Sequence, residues 1–111
     1  MFVNTDVEPF TEHIFKAVKD TMGATVVAYP MSESGDVTHI ADARQAFVSI
    51  AQCSERDSYS RKIGRAIAIA RAQEGEGIAL RFPKGYTLAQ KRQMILVIGQ
   101  LASGQFEDLY C

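Results

Sequence analysis

The run Ala24–Tyr29 (ATVVAY) constrains the fold most, because it is apolar, rich in β-forming residues and free of charged side chains. Valine, threonine and tyrosine favour extended backbone that packs against neighbouring strands. We therefore predict a buried strand here. Similar reasoning predicts a weak strand over Val37–Ile40, an alternating strand over Ala46–Cys53 and a further strand over Ile78–Phe82.

Helical spacing of apolar residues and terminal signals predict three helices. The expected helices lie between Pro9 and Gly23, from Ser54 to about Gln73, and over about Leu88–Ala102. The order α-β-(β)-β-α-β-α indicates an α/β protein of the α+β kind, with a mixed sheet of three or four strands flanked by about three helices. A length of 111 residues fits a single domain over 1–111.

Composition narrows the class of protein. Apolar residues make up 47% and charged residues 23%, as in an ordinary folded chain. The longest apolar run, Met94–Gly99, is far shorter than the roughly 20 residues of a membrane span. The N-terminal residues do not resemble a secretory signal, so we expect a cytoplasmic protein with no membrane contact.

Cys53 and Cys111 are expected to be free thiols, and no Cys/His cluster predicts a metal site.

Charge is distributed unevenly along the chain. Residues 1–55 hold 3 basic and 8 acidic side chains, whereas residues 56–111 hold 9 basic and 5 acidic ones. This asymmetry has three readings: ordinary mixing of surface charge, a basic face for an anionic ligand, or charge pairing between subunits.

The segment after Cys53 combines features that favour anion binding. Free N–H groups at a helix N-terminus, neighbouring hydroxyls and several cations together suit a phosphate group. The candidate ligand-binding residues are Ser54, Arg56, Ser58, Ser60, Arg61, Lys62 and Arg65. Ser54 and Asp57 have capping-box spacing, so simple capping and a solvated basic face are the alternatives.

Two faces of the same predicted helix carry apolar or small residues. The expected core-facing stripe consists of Tyr59, Ile63, Ala66, Ile67 and Ala70, with Arg61 and Arg65 on the opposite side. A ridge of small residues consists of Ser60, Gly64, Ala68 and Ala72. The ridge predicts close packing against another helix of this chain or against a second subunit. Together with the apolar run of the last helix, it favours a homo-oligomer.

The sequence offers no catalytic residue that we can name. His13 and His39 fall in different elements, Cys53 is expected to be buried and inert, and Tyr59 occupies the position where a phosphatase loop starting at Cys53 would need arginine. No motif of a serine hydrolase, zinc protease or dinucleotide-binding enzyme is present. We therefore expect a protein that is not an enzyme.

The pattern Cys53-Ser54-x-Arg56-Asp57-x-Tyr59-Ser60-Arg61-Lys62-x-Gly64-Arg65-x-x-Ala68-x-x-Arg71 resembles segments of small phage and prophage proteins. It is similar to the central strand-to-helix region of the phage anti-Thoeris sponge family, over about 20 of the 111 residues. That resemblance implies an oligomer that sequesters a cyclic nucleotide immune signal in the host cytoplasm. It also implies that Arg56, Arg61, Lys62 and Arg65 face the phosphates and that no metal or cofactor is needed.

Three functions remain open from the sequence. The first is sequestration of an anionic, nucleotide-like small molecule. The second is a protein-interaction module, such as a phage inhibitor of a host defence complex. Nucleic-acid binding comes third, because the isoelectric point is near 6.1 and the chain has no tryptophan.

Overall fold

The computed structural model describes residues 1–14, 21–54 and 61–103, which form one sheet with two helices. The strands are β1 (Phe2–Val3), β2 (Phe10–Ile14), β3 (Thr21–Ser32), β4 (Gln45–Ser54) and β5 (Ile78–Arg81). The helices are α1 (Arg61–Gln73) and α2 (Leu88–Ser103), and a 3-10 turn covers Ile40–Asp42. Every strand pair is antiparallel, so the sheet is not the mixed one that the sequence predicted.

The two long strands β3 and β4 form the centre of the sheet. β5 pairs with β4, while β1 and β2 both pair with the other edge of β3. Phe2 lies opposite Ser32 and Phe10 lies opposite Ala28, so β1 and β2 form one edge strand interrupted by residues 4–9. A bulge lies at the start of β3, between Thr21 and Gly23.

Both faces of β3 are buried, each beneath a different helix. Val26 and Ala28 belong to an apolar cluster with Ile95 of α2. Val27 and Tyr29 belong to a second cluster with Ala68 and Ala72 of α1. Because successive side chains of a strand point to opposite faces, β3 needs an apolar residue at nearly every position. This explains why ATVVAY shows no polar alternation.

The small-residue ridge is the face by which α1 packs on the sheet. Gly64, Ala68 and Ala72 are buried, and the two alanines contact residues of β3 and β4. Small side chains let the helix backbone approach the sheet closely. The described ridge residues are therefore covered by this chain's own sheet and not by another helix of the chain, while Ser60 lies outside the described residues.

Most of the stripe predicted to face the core lies on the outer side of α1, although Ile67 packs against the cluster beneath the helix. Ile63 is 55% exposed, Ala66 and Ala70 are exposed, and Ile67 is half-buried. Apolar spacing indicated a helix correctly but selected the wrong face, because the sheet accepts the smallest side chains. Tyr59, the fifth residue of the stripe, lies outside the described residues.

The predicted helix between Pro9 and Gly23 is wrong over its described part. Residues 10–14 form β2 and residues 21–23 begin β3, while residues 15–20 lie outside the described part. Pairing of Phe10–Ile14 with Ala24–Ala28 of β3 has overridden the helical spacing. Residues 37–39 form no strand, and Ile40 begins the 3-10 turn.

The second predicted helix does not begin at Ser54, which is the last residue of β4. Its proposed capping partner Asp57 lies outside the described residues. The predicted end of this helix is confirmed, since α1 stops at Gln73 and Gly75 has a φ of +81°. The N–H of Glu76 donates to the carbonyl of Arg71 at 2.8 Å, which closes the helix end.

The predictions for β4, β5 and the last helix are confirmed to within about one residue. Thr87 and Gln90 form a reciprocal capping box at the start of α2, with bonds of 2.8 and 3.2 Å. Among the described helices, neither is long and apolar enough to cross a membrane.

The orientation of α1 gives a stability prediction. Ala68→Leu should lower the free energy of unfolding by about 1–3 kcal/mol, because it overpacks the contact with the sheet. The matched control Ala66→Leu lies on the exposed side and should change it by about 0.5 kcal/mol or less. Urea unfolding followed by circular dichroism measures both. A larger loss for Ala66→Leu would mean that the other face of α1 packs on the sheet.

Candidate functional site

A basic cleft lies where β4 begins, β5 ends and α2 starts. Its volume is about 490 Å³, and it is lined by residues from the 3-10 turn, the strand ends, the turn after β5 and the first part of α2. The lining residues are Asp42, Ala43, Arg44, Arg81, Phe82, Pro83, Lys84, Gly85, Tyr86 and Lys91.

Strand register brings the two arginines of this cleft together. Gln45 pairs with Arg81, and the N–H of Phe82 donates to the carbonyl of Arg44 at 2.8 Å, one step beyond the end of β5. Arg44, which immediately precedes β4, and Arg81 of β5 therefore lie at the same end of the sheet. Both arginines line the cleft, although they are 37 positions apart in the chain.

The turn after β5 supplies the third cation. The N–H of Tyr86 donates to the carbonyl of Pro83 at 3.3 Å, and Gly85 has a φ of +86°, a conformation that favours glycine. This turn places Lys84 and the half-buried Tyr86 on the rim of the cleft.

The three cations Arg44, Arg81 and Lys84 are exposed, and among the described residues no carboxylate forms a salt bridge with them. Arg65 and Arg92, by contrast, each have a glutamate partner. Asp42 also lines the cleft but lies beyond salt-bridge distance of its cations. Cations grouped in a concave site without carboxylate partners create a positive potential that attracts anions.

A buried lysine holds one wall of the cleft in place. Lys91 on α2 is only 7% exposed, and its Nζ donates to the carbonyls of Ile40, Ala41 and Ala43 at 3.1, 2.8 and 2.8 Å. The ammonium also lies 5.4 Å from the centre of the Phe82 ring. All three of its N–H donors are used, so Lys91 positions the 3-10 turn and has no donor left for a ligand.

A second cleft of about 300 Å³ lies on the other side of the 3-10 turn. Its lining is mostly apolar and includes Phe10, Pro30, Ile40 and Leu88, with His39 among them. The turn thus contributes Asp42 to the basic cleft and Ile40 to the apolar one. Because Lys91 fixes this turn, it fixes a wall of both clefts.

Much of the ligand site predicted from the sequence falls where the structure gives no detail. Arg56, Ser58 and Ser60 lie outside the described residues. The backbone of Ser54 ends β4 and that of Arg61 begins the described part of α1. Lys62 is exposed on α1. Lys62 and Arg65, the predicted residues whose side chains the structure describes, line neither of the two clefts.

Arg65 does not point away from the core as the sequence predicted. It is half-buried, and its Nη2 lies 3.4 Å from Oε1 of Glu8. Burial raises the pKa of the Tyr29 hydroxyl, and the positive charge of Arg65 acts against that rise. Arg65 therefore lies against residues of its own chain at the flank of α1.

Arg71, at the other end of α1, has a structural contact. Its Nη1 donates to the carbonyl of Ile50 at 2.8 Å, which ties α1 to β4. Burial lowers the pKa of the Arg71 guanidinium, and Glu76 acts in the opposite direction. The two histidines have different surroundings: Nδ1 of His13 is 3.0 Å from the Thr25 hydroxyl, whereas His39 lines the apolar cleft.

Sequence reasoning missed Arg44, Arg81, Lys84 and Tyr86 as a group. Arg44 lies far in sequence from the segment 81–86 that holds the other three, and the antiparallel register of β4 and β5 brings the two segments together. The Pro83-Lys84-Gly85 turn was recognised, but it carried no sign that two arginines lay beside it.

Within residues 1–14, 21–54 and 61–103, no group of three or more His, Cys, Asp or Glu could hold a metal ion. Comparison of the chain with protein-family models, curated proteins and solved structures found no match.

The Lys91 contacts give a second stability prediction. Lys91→Met should lower the free energy of unfolding by about 2–3 kcal/mol, because buried carbonyls of the 3-10 turn lose a charged donor. The matched control Arg92→Met removes an exposed ion pair with Glu12 and should cost less than about 1 kcal/mol. Thermal and urea unfolding of both variants measure the difference. Equal losses would show that the buried lysine adds nothing beyond a surface charge.

Proposed function

We propose that this protein binds a small phosphate-bearing anion in the basic cleft. The observation that carries the proposal is that Arg44, Arg81 and Lys84 all line one cleft of about 490 Å³. Among the described residues, no carboxylate is paired with them. Ligand sites of small molecules commonly have volumes of about 300–1,000 Å³.

The chemistry of the three cations favours phosphate. A guanidinium offers two parallel N–H donors that match two oxygens of one phosphate group, while a lysine ammonium adds a compact point charge. Two or three such contacts, each contributing about 1.5–3 kcal/mol, support micromolar binding after the entropy of association is subtracted.

Two other lining residues favour a nucleotide-like molecule over a bare phosphate. Tyr86 offers an aromatic surface on which a base can stack, and the Asp42 carboxylate can accept a hydrogen bond from a hydroxyl or amino group. The proposed role is sequestration of such a ligand in the host cytoplasm without catalysis. The resemblance of residues 53–71 to the sponge family supports the same class of ligand.

Isothermal titration calorimetry tests this proposal with a panel of probes: inorganic phosphate, pyrophosphate, linear nucleotides, cyclic mono- and dinucleotides, and an uncharged nucleoside. We expect at least one nucleotide to bind and the nucleoside to bind more weakly. Arg81→Ala should then lose about tenfold or more in affinity, because one charged contact is removed. The matched control Lys62→Ala removes an exposed cation of α1 and should leave the affinity unchanged.

Each contrary result has its own meaning. Loss of affinity in Lys62→Ala with none in Arg81→Ala would reject the cleft and return the ligand to the N-terminal part of α1. No binding of any phosphate-bearing probe would reject the anion-binding function and leave the protein-interaction function as the better hypothesis.

A further inference from the structure

One carboxylate lies among the cations of the basic cleft. Asp42, in the 3-10 turn, lines the same cleft as Arg44, Arg81 and Lys84. Asp42 is exposed, and within the described part of the chain its carboxylate has no hydrogen-bond or salt-bridge partner. A negative charge at this place weakens the attraction of the cleft for a phosphate group. The carboxylate therefore fits a ligand that offers hydrogen-bond donors as well as a phosphate.

Contacts on both sides hold the backbone of Asp42 in place. Nζ of Lys91 donates to the carbonyls of Ala41 and Ala43, at 2.8 Å each. The N–H of Asp42 itself donates to the carbonyl of His39 at 3.1 Å. A group on a fixed backbone loses less conformational freedom when it binds a ligand. The carboxylate is thus carried by a segment rigid enough to discriminate between ligands.

The two oxygens of a carboxylate match the Watson–Crick edge of one base. A carboxylate accepts two parallel hydrogen bonds where two N–H donors lie side by side. Guanine has a ring N–H next to an amino group on this edge, which is the edge that proteins read when a base lies in a pocket. Adenine and cytosine have an amino group beside a ring nitrogen that accepts, and this nitrogen repels the second carboxylate oxygen. The ring N–H of uracil lies between two carbonyls, so guanine alone among the four bases offers the paired donors.

The rest of the cleft suits such a nucleotide. Pro83 and the half-buried Tyr86 both line the cleft, and the turn that joins them offers ring surfaces for the face of a base. Three exposed cations and one carboxylate leave two positive charges at the cleft. A phosphate monoester carries about −1.5 to −2 charges at pH 7. The cleft can therefore neutralise the phosphate and still use its carboxylate for the base.

We propose that the basic cleft selects guanine nucleotides, with the Asp42 carboxylate accepting hydrogen bonds from the ring N–H and the amino group of the base. This selection rests on the anion site proposed above, because the cations hold the phosphate to which the base is attached. Asp42 determines which base is bound and opposes the binding of phosphate alone. The two effects have opposite signs, which makes them separable by experiment.

Calorimetry of the wild type without divalent ions gives the first test. Guanosine monophosphate should bind about tenfold or more tightly than adenosine monophosphate, because one charge-assisted hydrogen bond contributes about that factor. Inosine monophosphate keeps the ring N–H but lacks the amino group, so its affinity should lie between the two. The 2′-deoxy form of guanosine monophosphate should bind like the ribose form, because the carboxylate contacts the base.

Asp42→Asn gives the second test. It keeps the size of the side chain but replaces one acceptor oxygen with a donor, so affinity for guanosine monophosphate should fall about tenfold. Affinity for pyrophosphate should rise, because a negative charge leaves the cleft. A damaged site would lower both affinities. The matched control Glu74→Gln removes an exposed carboxylate that does not line the cleft and should leave both affinities unchanged.

Contrary results separate the base from the phosphate. Equal affinity for guanosine and adenosine monophosphates, or a fall in affinity for both ligands in Asp42→Asn, would overturn the selection of guanine and leave the anion site standing. Weaker binding of the 2′-deoxy form with no difference between bases would also overturn it, since the carboxylate would then bind ribose hydroxyls. Failure of every phosphate-bearing probe to bind the wild type would overturn the anion site as well.

Discussion

The structure depends on burial of β3 on both faces. Val26 and Val27 are adjacent in sequence, point to opposite sides of the sheet, and are both fully buried. Each must be covered by a different layer, which requires α1 on one side and α2 on the other. The burial of one Val side chain stabilises the fold by about 1.5–3 kcal/mol, so exposing either face of β3 to water would lower the stability by a comparable amount. The connections fit this arrangement, because α1 leads into the outer strand β5 and α2 follows it.

Placement of α2 has a local consequence at the end of the sheet. Its first turn carries Lys91 beneath the 3-10 turn, where three carbonyl oxygens and the face of Phe82 surround the ammonium. Removing a charge from water is costly unless it is well hydrogen-bonded, and these contacts offset that cost. The 3-10 turn is thereby fixed relative to β5. The same fixed turn borders the cleft that Arg44 and Arg81 line.

Strand propensity and turn chemistry predicted β4, β5 and α2 from the sequence, because those segments have strong local signals and their ends carry glycine or a capping box. The first helix was predicted wrongly. Over its described part, the segment between Pro9 and Gly23 carries helical signals, yet the pairing of Phe10–Ile14 with β3 is a contact that no local pattern reveals. The face of α1 was also predicted wrongly, because apolar spacing favours the larger side chains while the sheet accepts Ala68 and Ala72.

The candidate site was less predictable than the fold. Lys84 lies in a turn that the sequence marks clearly, but Arg44 and Arg81 look like ordinary surface residues until the register of β4 and β5 is known. The sequence predicted a ligand site at the cations of α1 because they lie close together in the chain. Closeness in sequence does not predict a cleft whose residues come from the ends of different strands.

The outer edges of the sheet offer little free backbone. Residues 4–9 interrupt the edge formed by β1 and β2, and β5 on the other edge has only four residues. Beyond β5, Arg71 donates to the carbonyl of Ile50, the Ser49 hydroxyl donates to the carbonyl of Glu76 at 2.6 Å, and Gly77 packs so closely that a Cβ there would collide with the carbonyl of Val48. Long open edges are the places where strands of other chains add and aggregation starts. Addition of a strand from another chain is therefore obstructed at both edges of the described sheet.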